Sequence, residues 1–267
     1  MIGAIIGDVV GSIYEYNNVK TKDFVMFSNK HRFTDDTVIT VAVASALLEF
    51  DGIDEILDDT VEDFQKLLVE KMVFYGRKHI LAGYGNRFFR WMVKTDHKPY
   101  QSFGNGSAMR VSPVAWYATT LDQALWLAEK SAEVTHDHPD GIKGAVATAG
   151  AIFLARTGAS KQEIRKFVEQ YYTIDFTLKD IRSTYKYDTT CQGCIPQAMQ
   201  AFFESNSFED AIRNVISIGG DSDTIGAITG SVAEAYYGAD QEMKNQALSY
   251  LTDDLLEVVN MFEVKFL

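Results

Sequence analysis

The hydrophobic positions of this chain follow the spacing of helices. Apolar residues recur with a period of about 3.6 residues, which places them on one face of a helix, and several of these segments open with Asp or Ser, which favour helix N-termini. The segments with this pattern are 61–75, 121–134, 160–172, 195–204, 208–216 and 247–262. The pattern predicts an amphipathic helix in each of them.

Two further segments are apolar on nearly every side. The run from Asp36 to Phe50 is too long for one strand, and the run Gly141–Arg156 is rich in Ala and Gly, which let helices approach closely. Both are predicted to be buried helices. Because no stretch alternates convincingly with the two-residue period of a strand, we expect an all-α fold, an orthogonal bundle of about ten helices with little or no sheet.

Length and composition favour one domain over residues 1–267. A chain of 267 residues with 46% hydrophobic residues can bury a large core, and it has only 4 prolines and no Ser- or Gly-rich linker. We find no tandem repeat either. We therefore expect a single domain, and we expect it to act as a monomer.

The net charge and the distribution of apolar residues exclude two classes of partner, nucleic acids and membranes. A net charge of −12 repels a phosphate backbone, so a general nucleic-acid binder is excluded. A phosphorylated small ligand fits if a bound metal supplies positive charge locally. The apolar start lacks basic residues and is interrupted by Asp8, and no run reaches the roughly 18 apolar residues that span a bilayer, so we expect a cytoplasmic protein without membrane contact.

The two cysteines, Cys191 and Cys194, form one Cys-Gln-Gly-Cys sequence. A structural zinc site needs further ligands at suitable spacing, and none is evident. We interpret both as ordinary packed thiols in a reducing compartment.

Two acidic clusters stand at the starts of apolar helices. They are Thr34-Asp35-Asp36-Thr37 and, after Gly219-Gly220, Asp221-Ser222-Asp223-Thr224. Neighbouring residues within a helix point about 100° apart, so adjacent aspartates converge on one point only at a helix end or turn. Both clusters have that placement, and the two glycines permit the tight turn that it requires.

Such clusters fit divalent cations. Four converging carboxylates repel one another unless cations or protons offset the charge, and a ligand set of carboxylate and hydroxyl oxygens suits Mg²⁺ or Mn²⁺. The alternative is that Asp, Ser and Thr simply cap the helices, which is the more usual role of either cluster alone. Two such clusters together favour the metal site.

Asp8 and Glu15 add two acids near the N-terminus. They are seven residues apart and would share a face if one helix continued through both. One of them could be a structural hydrogen-bond acceptor, and the other could orient a nucleophilic water.

Two glycine-containing loops could line a ligand site. The loop Ser102–Arg110 offers free backbone N–H groups, an amide and an aromatic ring, which could cradle a diphosphate and stack a base, although Gly-Asn-Gly alone is more often a turn. The loop Gly83–Arg87 could shape the entrance. His136 and His138 cluster in Thr-His-Asp-His-Pro, where a loop or helix-end role is the more usual one. No Gly-x-Ser-x-Gly elbow is present.

In chain order, these motifs resemble the ADP-ribosylglycohydrolase family, which includes the dinitrogenase-reductase-activating glycohydrolases and the vertebrate ADP-ribosyl-acceptor hydrolases. The matching elements are Gly-Asp-x-x-Gly-Ser-x-Tyr-Glu at 7–15, Thr-Asp-Asp-Thr at 34–37, Gly-Asn-Gly-Ser-Ala-Met-Arg at 104–110, Thr-His at 135–136 and Gly-Gly-Asp-Ser-Asp-Thr at 219–224. The resemblance extends from Gly3 to about Gly238.

The resemblance implies an all-α fold and a centre of two Mg²⁺ or Mn²⁺ ions. It implies that the metal ligands are Thr34, Asp35, Asp36, Asp221, Asp223 and Thr224. It implies that the diphosphate and adenosine lie against Ser102, Phe103, Gly104, Asn105 and Gly106, with the Phe103 ring on the adenine. His136 would contact the distal ribose. Ser222 replaces the Thr that many family members have, and this change leaves the implied ligands intact.

By the same resemblance, Glu15 is a mobile acid above the metals that positions or activates water. With Glu15, Asp35 and Asp36 as catalytic residues, the implied reaction is hydrolysis of the bond between ADP-ribose and a protein side chain or small molecule. A non-catalytic ADP-ribose binding protein and a two-metal nucleotide phosphohydrolase are the alternatives. The sequence leaves the acceptor open, since loops at the rim of a site determine it.

Overall fold

The computed structural model describes residues 1–50 and 58–266, and within them it contains fifteen helices and no strand. An isolated bridge pairs Gly104 with Thr190. The helices are α1 (Ile2–Gly11), α2 (Asp35–Glu49), α3 (Asp58–Lys78), α4 (Asn86–Val93), α5 (Gly106–Met109), α6 (Ser112–Tyr117), α7 (Leu121–Glu133), α8 (Pro139–Arg156), α9 (Lys161–Val168), α10 (Leu178–Ile181), α11 (Cys191–Phe203), α12 (Phe208–Ile216), α13 (Ser222–Tyr237), α14 (Gln241–Leu248) and α15 (Asp253–Phe266).

The predicted all-α fold is confirmed, and both apolar runs form buried helices, α2 and α8. The predicted number of helices is too low for the described residues because α5, α6 and α10 have only four to six residues each. Such short helices carry no periodic signal. Among the described residues, no helix is both long enough and apolar enough to cross a lipid bilayer.

The prediction of one helix over 247–262 is wrong, because α14 ends at Leu248 and α15 begins at Asp253. Thr252 starts the new helix: its carbonyl accepts from the Leu256 N–H at 3.0 Å. Two aspartates follow in the first turn, where the helix dipole favours acids. The break lets the Tyr250 hydroxyl donate to the Ser28 carbonyl at 2.8 Å, which ties this end of the chain to the 28–31 turn.

Helices α1 and α13 approach each other through glycines. A Cβ atom built on Gly7 would lie 2.0 Å from the Gly226 carbonyl oxygen, and one built on Gly3 would lie 2.2 Å from that of Gly230. The Gly3 N–H also donates to the buried Glu234 carboxylate at 2.8 Å. This close approach sets α1 against the start of α13 and so carries Asp8 to the second acidic cluster.

We expect Gly7→Ala to lower the free energy of unfolding by about 3 kcal/mol or more, since the added methyl meets rigid backbone rather than a mobile side chain. Urea unfolding followed by circular dichroism measures the change. Gly85→Ala is the matched control, because a Cβ there meets no atom within 4 Å. Equal stability of the two variants would contradict the glycine contact between α1 and α13.

Candidate metal centre

The two acidic clusters lie at helix N-termini, and capping accounts for part of one of them. The Thr34 hydroxyl caps α2 by accepting from the Asp36 N–H at 3.3 Å. Gly219 and Gly220 form the turn before α13, with φ of 68° and 88°. Asp221 follows them as the N-cap residue of α13. The Asp221 side chain makes no capping bond. Capping therefore explains Thr34 but leaves the role of Asp221 open.

Four aspartates and one glutamate form two groups of converging oxygens. Carboxylate oxygens of Asp8, Asp36 and Asp223 lie within 4.8 Å of one another, and so do those of Glu15, Asp221 and Asp223. Asp223 belongs to both groups. The structure thus brings the two clusters together with Glu15, at one buried place that a pair of cations could share.

Asp8 is saturated with hydrogen bonds. Its Oδ1 accepts from the Thr34 hydroxyl at 2.7 Å, and its Oδ2 accepts from the N–H groups of Thr34 and Thr37 and from the Thr37 hydroxyl. An ionised carboxylate offers about four acceptor positions. Asp8 is therefore a structural acceptor that fixes the first turn of α2, one of the two roles predicted for the Asp8 and Glu15 pair. Helix α1 ends at Gly11, so the two acids share no helix face.

Asp36 has an oxygen without a partner. Its Oδ2 accepts from the Thr224 hydroxyl at 3.3 Å and lies 3.2 Å from the Thr34 hydroxyl, whose one proton goes to Asp8. Its buried Oδ1 has no donor in the described part of the chain. Leaving a buried carboxylate oxygen unpaired is costly. An all-oxygen set that includes this free atom fits a hard cation such as Mg²⁺ or Mn²⁺.

Burial raises the pKa of the aspartates. It raises the pKa of Asp35 to about 8 and that of Asp221 to about 6, with neighbouring carboxylates adding to the shift. The pKa values of Asp36 and Asp223 also rise well above the usual range, first through burial and then through repulsion from the other acids. Without cations, burial and mutual repulsion therefore favour protonation of these groups at a higher pH than is usual for a carboxylate.

Asp35 lies at the edge of the centre, since its carboxylate belongs to neither group of converging oxygens. Its N–H donates to the Ala82 carbonyl at 3.0 Å, and a Cβ on Gly83 would lie 3.6 Å from its Oδ1. The loop Gly83–Arg87 lines the cavity beside it, as the predicted role at the entrance requires.

The acidic centre forms part of the wall of a cavity of about 520 Å³. The cavity also reaches the predicted ligand loop: Ser102, Gly104, Asn105, Gly106 and His136 line it. Phe103 does not. Its ring is 44% exposed and meets the His138 ring edge-on at 5.4 Å, so the structure does not bring it to the other predicted site residues.

The ligand loop uses several of its own polar groups. The prediction of free N–H groups is wrong for Ser102, Gly104 and Asn105, which donate to the Thr135 carbonyl, the Ser102 hydroxyl and the Thr189 carbonyl. The Asn105 amide donates to Asp221 Oδ2 at 2.7 Å. Asn105 therefore connects the loop to the acidic centre.

A buried cation lies at the other side of this loop. Arg110 is 1% exposed, has an unpartnered Nε, and forms no ion pair with a carboxylate in the described residues. Burial lowers its pKa to about 10, so it stays charged at neutral pH. A buried cation without a counter-ion favours an anionic ligand.

Burial and nearby positive charge keep His136 neutral. Arg110 Nη2 donates to the Thr135 hydroxyl at 2.9 Å, and that hydroxyl lies 2.7 Å from His136 Nδ1. Burial and the positive charges of Arg110 and Arg87 lower the pKa of His136 well below its usual value. If the Thr135 hydroxyl donates to Nδ1, the neutral ring presents Nε2 as a donor beside Gly104 and Gly106.

Both cysteines are buried and free, in line with the interpretation as packed thiols. The Cys191 thiol donates to the Gly104 carbonyl at 3.0 Å, and the Cys194 thiol donates to the Asp188 carbonyl at 2.8 Å. Burial raises the pKa of Cys191 to about 12, which keeps this thiol protonated and unreactive.

Sequence reasoning missed some of the residues that surround the site. Arg110 and Tyr187 line the cavity, and neither was a candidate for a functional role. Tyr187 lies in an irregular segment without a periodic signal. Arg110 could have been recognised, because it is a charged residue between apolar neighbours at the end of the glycine-containing loop, a pattern that indicates a buried cation.

Comparisons with known proteins show the family of this chain. The sequence profile of the family described as ADP-ribosylglycohydrolase matches residues 1–264. ADP-ribosylhydrolase ARH3 of Homo sapiens is 24% identical over 311 residues, which cover 90% of this chain and 85% of the relative. ADP-ribosyl-[dinitrogen reductase] glycohydrolase of Rhodospirillum rubrum is 27% identical over 264 residues, which cover 90% of this chain and 84% of the relative.

A solved structure described as an ADP-ribosylglycohydrolase-related protein complex has the same fold, with a TM-score of 0.69 and 22% identity over 99% of this chain and 95% of that one. The curated relatives are named as hydrolases, and this chain is a hydrolase as well. With a profile match across almost its whole length, the chain belongs to the ADP-ribosylglycohydrolase family.

Proposed function

We propose that this hydrolase cleaves the glycosidic bond between ADP-ribose and an acceptor, a protein side chain or a small molecule, and releases ADP-ribose. The observation that carries the proposal is the single cavity that joins the two oxygen groups sharing Asp223 to the loop around Asn105 and the buried Arg110. The end of the cavity at the acidic clusters fits cations and a sugar, and the end at Arg110 fits a diphosphate.

The proposed metal ligands are side-chain oxygens of the two clusters. Asp36 offers its unpartnered Oδ1, Asp223 serves both positions, and Asp221 completes the second position beside Glu15. Asp35, Thr34 and Thr224 surround these oxygens. Two Mg²⁺ or Mn²⁺ ions held by these residues would supply Lewis-acid chemistry and offset the negative charge.

The ligand loop and its cation hold the opposite end of the substrate. Arg110 supplies positive charge that a diphosphate would offset, which matters in a protein with a net charge of −12. His136 Nε2 lies beside Gly104 and Gly106, which line the same part of the cavity. These contacts orient the distal ribose toward the acids.

Glu15 is the proposed general base. It is partly exposed, lines the cavity, and stands beside the buried Asp221 and Asp223, where it can accept a proton from an attacking water. As the bond from that water to the anomeric carbon forms, the bond to the acceptor breaks. The acceptor leaves with the electron pair and takes up one proton. Nearby carboxylates stabilise the positive charge that develops on the sugar.

The test is a product analysis over a panel of ADP-ribosylated acceptors, linked through arginine, serine, a nucleobase, an acetyl ester or a second ADP-ribose. The protein is incubated with each in Mg²⁺ and in Mn²⁺, with and without excess EDTA, and products are identified by mass spectrometry. We expect free ADP-ribose from at least one acceptor, in metal and not in EDTA.

Three results would overturn the proposal. Full activity in EDTA, or AMP as the product, would replace it by metal-free chemistry or by a nucleotide phosphohydrolase. No product from any acceptor while ADP-ribose still binds would identify a non-catalytic binding protein.

A further inference from the structure

The segment 182–190, between α10 and α11, is packed against the turn that carries Asp221. The Tyr185 hydroxyl donates to the Gly193 carbonyl at 2.7 Å, and its ring occupies the space beside Gly220, where an added Cβ would lie 2.4 Å from the ring. Lys20 Nζ donates to the Tyr185 carbonyl at 2.8 Å. Beyond Tyr187, the Thr189 carbonyl accepts from the Asn105 N–H at 2.8 Å, so the backbone on either side of Tyr187 is anchored.

Tyr187 reaches from this anchored segment to Glu15. Its hydroxyl donates to Glu15 Oε1 at 3.3 Å, and its ring stacks on the ring of Tyr16 with centroids 6.2 Å apart and an angle of 24° between the planes. Tyr187 thus contacts the Glu15 carboxylate with its hydroxyl and Tyr16 with its ring.

The backbone of Glu15 alone does not fix its carboxylate. Glu15 lies after the end of α1, in a turn, and its side chain is less buried than those of Asp221 and Asp223. Its carbonyl is held, since Asn18 Nδ2 donates to it at 2.9 Å, but this bond leaves the side chain free to rotate. The direction of the carboxylate therefore depends on its hydrogen bond from Tyr187.

We propose that Tyr187 is the positioning residue of Glu15: its hydroxyl holds the Glu15 carboxylate beside Asp221 and Asp223, and the Tyr16 ring keeps Tyr187 in place. This inference rests on the proposed role of Glu15 as the base of the hydrolysis. In this role the tyrosine acts through the glutamate and has no step of its own in the hydrolysis.

The kinetic test is Tyr187→Phe, which removes the hydroxyl and keeps the ring and its stack. We expect kcat for ADP-ribose release to fall about tenfold, as for the loss of a hydrogen bond that orients a reacting group, with KM changed less than about twofold. In the Glu15→Gln background, we expect the same substitution to change kcat by less than about twofold. Tyr171→Phe, far from the site, is the control and should leave both constants unchanged.

A second readout needs no activity. In crystals of the metal-free protein, we expect a single position for the Glu15 side chain, and in metal-free Tyr187→Phe we expect it displaced or in two conformers. Three results would overturn the inference. The first is an equal loss of kcat from Tyr187→Phe in the wild-type and Glu15→Gln backgrounds, and the second is an unchanged kcat in Tyr187→Phe. The third is a Glu15 side chain that keeps its position in crystals of Tyr187→Phe. If the wild type releases no ADP-ribose, the proposed function fails, whereas the crystals still decide the role of Tyr187.

Discussion

Replacing Asp223 by asparagine is expected to lower the rate of ADP-ribose release by about 10³-fold or more. The Asp223 carboxylate belongs to both groups of converging oxygens, so its loss weakens both proposed cation positions at once. Cation stabilisation of a transition state amounts to several kcal/mol, and about 4 kcal/mol corresponds to a thousandfold change in rate. Steady-state kinetics at saturating Mg²⁺ and at saturating Mn²⁺ measures the effect.

The same variant should gain stability when no metal is present. Asparagine has nearly the shape of aspartate but no charge, so it removes repulsion from the buried Asp36 and Asp221. Thermal unfolding in EDTA should give a higher Tm than that of the wild type. Asp63→Asn, on the exposed side of α3, is the matched control. An Asp223→Asn enzyme with normal kcat, or with a lowered Tm in the absence of metal, would contradict the role of Asp223 in both cation positions.

The metal-free protein is expected to lose stability as pH rises from about 5.5 to 8.5. Burial raises the folded-state pKa of Asp35 to about 8 and that of Asp221 to about 6, whereas unfolded aspartates titrate near 3.9. The folded state therefore binds more protons than the unfolded state between these values. A raised pKa contributes stability that is fully present below the unfolded pKa and is lost as pH rises through the folded pKa.

Cations should reverse this trend, because they replace the protons that the carboxylates lose. We expect the rise in Tm caused by Mg²⁺ or Mn²⁺ to be larger at pH 8.5 than at pH 6, as measured by differential scanning calorimetry. The pH dependence in EDTA should be smaller in Asp36→Asn than in the wild type. A metal-free Tm that rises over this range, or a metal effect that is the same at both pH values, would argue against a cluster of buried, mutually repelling acids.

Much of the fold was predictable from local patterns, because a buried helix must be apolar around its axis and an amphipathic one must repeat with the helical period. The runs that became α2 and α8 carry that signal directly. The acidic pairs were recognisable because adjacent aspartates converge only where a helix starts. The break between α14 and α15 was missed because the apolar period continues across it.

The rest of the site depends on contacts between residues far apart in the chain. Asp8 reaches the acidic centre because Gly7 packs on Gly226. Asn105, in the ligand loop, donates a hydrogen bond to Asp221. Tyr187 contacts Glu15 from a segment without regular structure. No single-sequence pattern links such positions, since each contact follows from how helices and loops pack after they form.

The measurement that tests the centre most directly is the anomalous scattering of Mn²⁺ in crystals of the wild-type protein. We predict two peaks, one among Asp36, Asp223 and their threonine neighbours and one among Glu15, Asp221 and Asp223, with both reduced in Asp223→Asn. Crystals that show no peak at either group, at Mn²⁺ concentrations where the enzyme in solution releases ADP-ribose, would contradict the assignment of these acids as the metal centre.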